Sequence, residues 1–177
     1  MRIDKSPHIM NDLLALCHVP RWVIVPHIGS QSVAEHSFRV TIILLELCRR
    51  LDVSLDFNDI MWALVHDGPE AWTGDIPGPF KTDGCDANVA PWWHSTEKLM
   101  PDKTKSLIKI ADLIEGSSWI GQWGVGQHAV YAGKKLRNEA LYKARELAPS
   151  IGFGQDQMDK VILAVLTDIE CETGRIA

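Results

Sequence analysis

Apolar residues in this chain recur at helical spacing almost throughout and hardly ever alternate, which commits it to helices rather than sheets. Ile9, Leu13, Leu14 and Leu16 predict a first helix that closes before Pro20. Pro20, Pro26, Gly29 and Ser30 mark a connection, with one short extended run from Trp22 to Val25. Ser32 and Glu35 have the spacing of a capping box, so a second helix should start there and end near Leu51, burying Phe38, Ile42 and Leu45. Asn58 or Asp56 caps a third helix, with Ile60, Met61, Leu64 and Val65 inward. Gly68-Pro69 bends the chain, and Gly74 to Pro79 reads as an irregular loop, as do residues 82–91. Pro101-Asp102 opens a helix carrying Leu107, Ile110, Leu113 and Ile114, which the glycines of the Gly116 to Gly126 stretch should break. Two more helices follow, from about Gln127 to Leu147 and from about Asp156 to Glu172. No linker, repeat or charge run divides the chain. The expectation is one all-α domain over residues 1–177, of six or seven helices.

Composition narrows the function. The 177 residues are enough for one domain with a real core, and the net charge of -5 gives no basic face for nucleic acid. No window approaches the ~18 consecutive apolar residues of a membrane span. Asp4, Lys5 and Asp12 interrupt the first twenty residues, which argues against a secretory signal. Cys17, Cys48, Cys85 and Cys171 are far apart and form no C-x-x-C pair. A reduced, cytoplasmic protein with packing cysteines is the expectation. The tryptophans, with Trp92-Trp93 and Trp119/Trp123 in or beside loops, are many for this length and suggest a homo-oligomer with some at the interface.

The chemistry concentrates at three places. His66-Asp67 ends an apolar helix just before Gly-Pro, and a buried polar cluster there must be hydrogen-bonded or metal-bound. The plain alternative is a His-Asp pair capping the helix. His36 sits in the first turn of its helix among Val33, Phe38 and Val40, as a ligand or as a packed or solvent-facing histidine. Asp112 lies among Ile110, Ala111, Leu113 and Ile114, where an unpaired carboxylate would be costly. It needs a cation, or else it faces solvent with Lys109 as an ion-pair partner. Together they run H…HD…D on separate helices. Two imidazoles and two carboxylates suit Mn²⁺, Co²⁺, Fe²⁺ or Zn²⁺, and such an ion activates water and polarises a phosphoryl oxygen.

Around these residues the sequence resembles the HD-domain phosphohydrolases. The segments are S-V-A-E-H-S-F (32–38), H-D-G-P-E-A-W-T-G-D-I-P-G-P-F-K (66–81) and K-I-A-D-L-I-E (109–115). They are similar to the 5′-deoxynucleotidase branch, which shares the pair Arg21-Trp22, and to the phage dATP triphosphohydrolases, from viruses that replace adenine with 2-aminoadenine. The resemblance covers about residues 9–120; residues 121–177 carry no such motif. It implies a helical HD fold with His36, His66, Asp67 and Asp112 as metal ligands. It also implies Glu70 and Asp75 as catalytic carboxylates beside the attacking water. Their alternatives are a helix-dipole role for Glu70 and a turn role for Asp75.

The motif places Arg21, Lys81 and Lys109 where they would meet phosphates, although most such cations are ordinary surface residues. Trp22 and Ile24, with Pro77 or Pro79 opposite, would form an apolar slot for a base, and a core role for Trp22 stays open. Gln31 stands where the deoxynucleotidases commonly carry Glu, which would ease repulsion along a polyphosphate path. That departure favours conversion of dATP to deoxyadenosine and triphosphate, with a Mg²⁺ ion carried on the phosphates. The alternatives are a 5′-deoxynucleotidase acting on deoxynucleoside monophosphates and a metal-stabilised helical binding module without turnover.

Overall fold

A computed structural model describes residues 9–77, 93 and 98–172. Its helices are α1 (Ile9–Ala15), α2 (Val33–Arg50), α3 (Phe57–Val65), the single turn α4 (Glu70–Thr73), α5 (Asp102–Trp123), α6 (Gly126–Leu147) and α7 (Gln155–Glu172). Short 3₁₀ turns follow α1 and α6. Among the described residues the all-α expectation holds, and extended structure is limited to isolated bridges.

Local chemistry sets the boundaries. Ser32 Oγ accepts from the Glu35 N–H at 3.2 Å and starts α2. Asp56, of the two candidates, caps α3: its Oδ1 accepts from the N–H groups of Asn58 and Asp59, while Asp59 Oδ2 accepts from Asp56 N–H. The main core lies between α2, α3, α5 and α7, with Leu44, Leu47, Ile110, Ile114, Ile162 and Leu166 at its centre. Trp119, Ile120, Val25 and Ala129 form a second, smaller core beneath the 19–32 connection.

Several expectations about facing are corrected. In α2 the inward stripe is Val33, Val40, Leu44, Leu47 and Cys48, whereas Phe38 and Ile42 are 59% and 50% exposed and Leu45 also faces outward. The true stripe includes His36, Ser37 and Thr41, polar residues that hide it from a hydrophobicity pattern. In α3 Trp62 and Ala63 are buried while Met61 and Leu64 are exposed, because six consecutive apolar residues leave the phase of the helix undetermined. The expected break after Gly116 does not occur, and α5 runs on to Trp123. A β-carbon at Gly116 would lie 3.3 Å from Leu136 and 3.5 Å from the Trp22 ring, so this glycine serves close packing. Trp93 and Trp119 belong to the chain's own core, Trp93 edge-on to Trp62, so they lend no support to an interface. Cys85 and Trp92 lie outside the described residues.

The expected extended run at Trp22–Val25 is a tight turn: Val25 N–H donates to Trp22 O at 3.1 Å, and Trp22 has φ of 66°. The connection around it is pinned at both ends. Arg21 N–H donates to Gln31 O and Val33 N–H to Val19 O, while Ile28 N–H donates to Trp123 O and Val125 N–H to Pro26 O. Arg21 and Trp22 are therefore held against α2 and α5 rather than carried on a free loop.

Candidate metal centre and active site

Four side chains meet where α2, α5 and the end of α3 converge. His36 comes from the first turn of α2, Asp112 from the middle of α5, and His66 and Asp67 from the turn after α3. His36 Nε2 lies 3.2 Å from Asp112 Oδ1 and 3.4 Å from Asp67 Oδ2, and His66 Nε2 lies 3.4 Å from the same Asp67 oxygen. His36, His66 and Asp67 each offer a donor atom within 4.8 Å of the others.

The outer nitrogen of each ring is already committed. His36 Nδ1 lies 2.6 Å from Glu115 Oε2, and His66 Nδ1 lies 2.8 Å from Ala63 O. Both partners only accept, so each Nδ1 carries a proton and each Nε2 is left for the centre. Glu115 is fully buried and also accepts from Arg39 Nε at 2.7 Å and Gln31 Nε2 at 2.8 Å.

A cleft of about 730 Å³ opens onto this cluster. Asp67, Glu70, Asp75 and Asp112 line it together with Arg21, Trp22, Ile24 and Pro77. Arg21 joins the cluster to the aromatic ring: its Nη1 donates to Asp67 Oδ2 at 3.0 Å, and its guanidinium carbon lies 5.7 Å from the Trp22 ring centroid. Lys109 Nζ donates to Asp112 Oδ2 at 2.7 Å. Trp22 stacks on Trp119 at 5.4 Å with 4° between the rings, and its backbone N–H donates to Asp75 Oδ2 at 3.4 Å.

The HD domain family matches residues 14–90. A dATP triphosphohydrolase of Salmonella phage PMBT28 is 36% identical over 134 residues, covering 67% of this chain and 69% of that protein. The chain belongs to the HD-domain phosphohydrolases. A dATP triphosphohydrolase of cyanophage S-2L is 32% identical over 129 residues, covering 66% of this chain and 71% of that one. The HD phosphohydrolase of cyanophage S-2L, solved bound to dA and one catalytic Zn²⁺ ion, shares the fold with a TM-score of 0.76. That match covers 89% of this chain and 96% of the other at 24% identity. The HD-domain protein is thus a metal-dependent phosphohydrolase, and among its described residues no helix is long and apolar enough to cross a membrane.

The HD residues fit a divalent ion. His36 Nε2 and His66 Nε2 are buried, and neither makes a hydrogen bond of good geometry despite the nearby carboxylates. Burial and Arg21 pull the His36 pKa down, yet contacts with Asp112, Asp67 and Glu115 outweigh them and raise it well above the usual histidine value. Burial likewise opposes ionisation of Asp112, but His36 and Lys109 hold its carboxyl well below the ordinary range. These groups enclose a position that stabilises a cation, and a metal ion competes there with a proton.

The cleft brings together Arg21, Trp22, Ile24, Glu70, Asp75 and Lys109, and the two histidines meet it through Asp67 and Asp112. Gln31 is corrected: it is 3% exposed, lies behind the cleft and has both ends of its amide used, so it meets no phosphate path. Pro79 and Lys81 lie outside the described residues. The sequence reading missed Glu115, although a carboxylate three residues after Asp112 shares its helix face and apolar neighbours. It also missed His128, Tyr131, Lys135 and Glu139 of α6, which line the same cleft and belong to no motif.

Proposed function

We propose that the protein hydrolyses dATP to deoxyadenosine and triphosphate. The observation that carries this is Arg21, which joins the Trp22 platform to Asp67 of the His/Asp cluster. A base lying on Trp22 and Ile24 puts the phosphate next to it at that guanidinium. The two phage relatives named for dATP hydrolysis, and the S-2L structure with dA and zinc, support the same substrate.

His36, His66, Asp67 and Asp112 would hold the ion, Mn²⁺, Co²⁺, Fe²⁺ or Zn²⁺. When bound, it supplies Lewis-acid chemistry that acidifies water and polarises a phosphoryl oxygen. Glu70 takes the proton from the attacking water, and Asp75 orients that water. The new bond forms at the α-phosphorus, the bond to the 5′ oxygen breaks, and that oxygen takes up a proton. Arg21, Lys109 and Lys81 hold the phosphates, which travel with Mg²⁺. The Ile24 side chain offers a 2-amino group no hydrogen-bond partner, and on this reading 2-amino-dATP is spared in a phage that uses 2-aminoadenine. On this reading the enzyme is homo-oligomeric and cytoplasmic, with Phe38, Ile42 and Leu45, exposed at helical spacing on α2, meeting a second copy.

Product analysis tests the reaction. With dATP the enzyme should give deoxyadenosine and intact triphosphate without dADP or dAMP. Efficient hydrolysis of dAMP with negligible action on dATP would overturn the reading in favour of a 5′-deoxynucleotidase. Discrimination against dGTP and 2-amino-dATP should be about 5- to 150-fold, the equivalent of one buried unpaired donor. Ile24→Ala should erode it while metal content stays unchanged.

A further inference from the structure

A continuous hydrogen-bonded path links the aromatic platform to the metal cluster from behind. Trp22 Nε1 donates to Gln31 Oε1 at 2.8 Å, and Gln31 Nε2 donates to Glu115 Oε1 at 2.8 Å. The other Glu115 oxygen accepts from His36 Nδ1 at 2.6 Å. Each link has one possible polarity. An indole N–H only donates and a carboxylate only accepts, so the Gln31 amide has a single orientation that satisfies both. An acid at this position would keep an acceptor for Trp22 but set a second carboxylate against Glu115.

Trp22 needs such an anchor. Its φ of 66° is rare for an aromatic residue, and strain of this kind persists only where the surroundings over-determine it. The indole hydrogen bond, the stack on Trp119 and the contact of the Trp22 backbone N–H with Asp75 supply that constraint. We infer that Gln31 is a positioning residue that couples the orientation of the Trp22 platform to that of the ligand His36, so base binding and metal affinity depend on one amide. The base-binding half of this inference rests on the reading of Trp22 as the nucleobase platform; the metal half does not.

Three variants separate the two halves, each checked by its thermal melt and each titrated with Co²⁺ in the absence of nucleotide. Gln31→Glu keeps the acceptor for Trp22 and loses the donor to Glu115. It should weaken Co²⁺ binding about 10- to 100-fold, the range for loss of a partner behind a metal ligand, while deoxyadenosine binding to the metal-loaded protein stays within a few-fold. Gln31→Leu cuts both links and should weaken both. Trp22→Phe keeps a ring but frees the amide. It should weaken deoxyadenosine binding and also lower Co²⁺ affinity several-fold, although residue 22 touches no ligand through its indole nitrogen.

Wild-type Co²⁺ affinity in both Gln31→Glu and Trp22→Phe would overturn the coupling, and equal loss of both bindings in Gln31→Glu would reduce Gln31 to a packing residue. If Gln31→Glu does not fold, the Co²⁺ affinity of Trp22→Phe decides alone. Failure of the wild-type protein to hydrolyse dATP, with Co²⁺ affinity falling as described, would instead reject the substrate and leave the coupling standing.

Discussion

Glu115 Oε2 and His36 Nδ1 meet at 2.6 Å with both side chains fully buried. Burial opposes the Glu115 charge, but the contacts with His36 and then Arg39 and Arg21 keep its pKa below the ordinary value. The carboxylate therefore stays ionised beneath the ring and fixes its tautomer. Glu115→Gln keeps the shape and removes the charge, so metal affinity should fall about 10- to 100-fold. Competition with a chelator measures it, and unchanged affinity would remove Glu115 from the centre.

Glu70 lines the cleft beside Asp67, 5% exposed, at the start of a single helical turn. Glu70→Ala should retain the metal and lower turnover by roughly 10²–10⁴, the usual range for a positioned acid–base group. Asp75→Asn should behave similarly. Near-normal turnover in both variants would place the base elsewhere.

Helix order was legible because punctuation is local: Ser32, Asp56 and Pro101 each act on residues within one turn. The facing of α2 and α3 was not, because it is decided by partners distant in sequence. His36 shows why: it lies on the buried stripe, and reading that stripe as apolar turned α2 onto Phe38 and Ile42. Residue type and spacing drew attention to the His/Asp set but left each member an alternative, and it was the family resemblance that implied the roles of the motif residues. Glu115 escaped notice because its partners Gln31, His36 and Arg39 lie some eighty residues away. The α6 wall carried no motif at all.

Acid stability has a separate origin. Glu46 accepts from Arg49 and from Arg50, whose other end reaches Asp168 of α7. Hydrogen bonds from Arg49 and then Arg50 lower the Glu46 pKa from 4.5 to about 2. A folded value below the unfolded one means the contribution is present above pH 4.5 and is lost as pH falls toward 2. Glu46→Gln should therefore melt below the wild type at neutral pH, with the gap closing by about pH 2. The pair is solvent-exposed, so the gap should be small and shrink with salt. A gap independent of pH would assign it to something other than this charge.

The cleft's cations differ in how free they are to meet phosphate. Arg21 is engaged by Asp67 and Lys109 by Asp112, whereas Lys135 has no ion-pair partner among the described residues. It lines the same cleft from α6, one turn before Glu139, whose charge reaches Lys109. Loss of one charge-assisted contact is worth about 1.5 kcal/mol, or roughly tenfold. Lys135→Ala should raise KM for dATP by about that factor and leave metal content unchanged. The penalty should shrink from dATP to dADP and vanish for deoxyadenosine binding, because a cation that serves to meet phosphate has nothing to hold on the nucleoside. An equal penalty for deoxyadenosine would mean that Lys135 shapes the base slot instead.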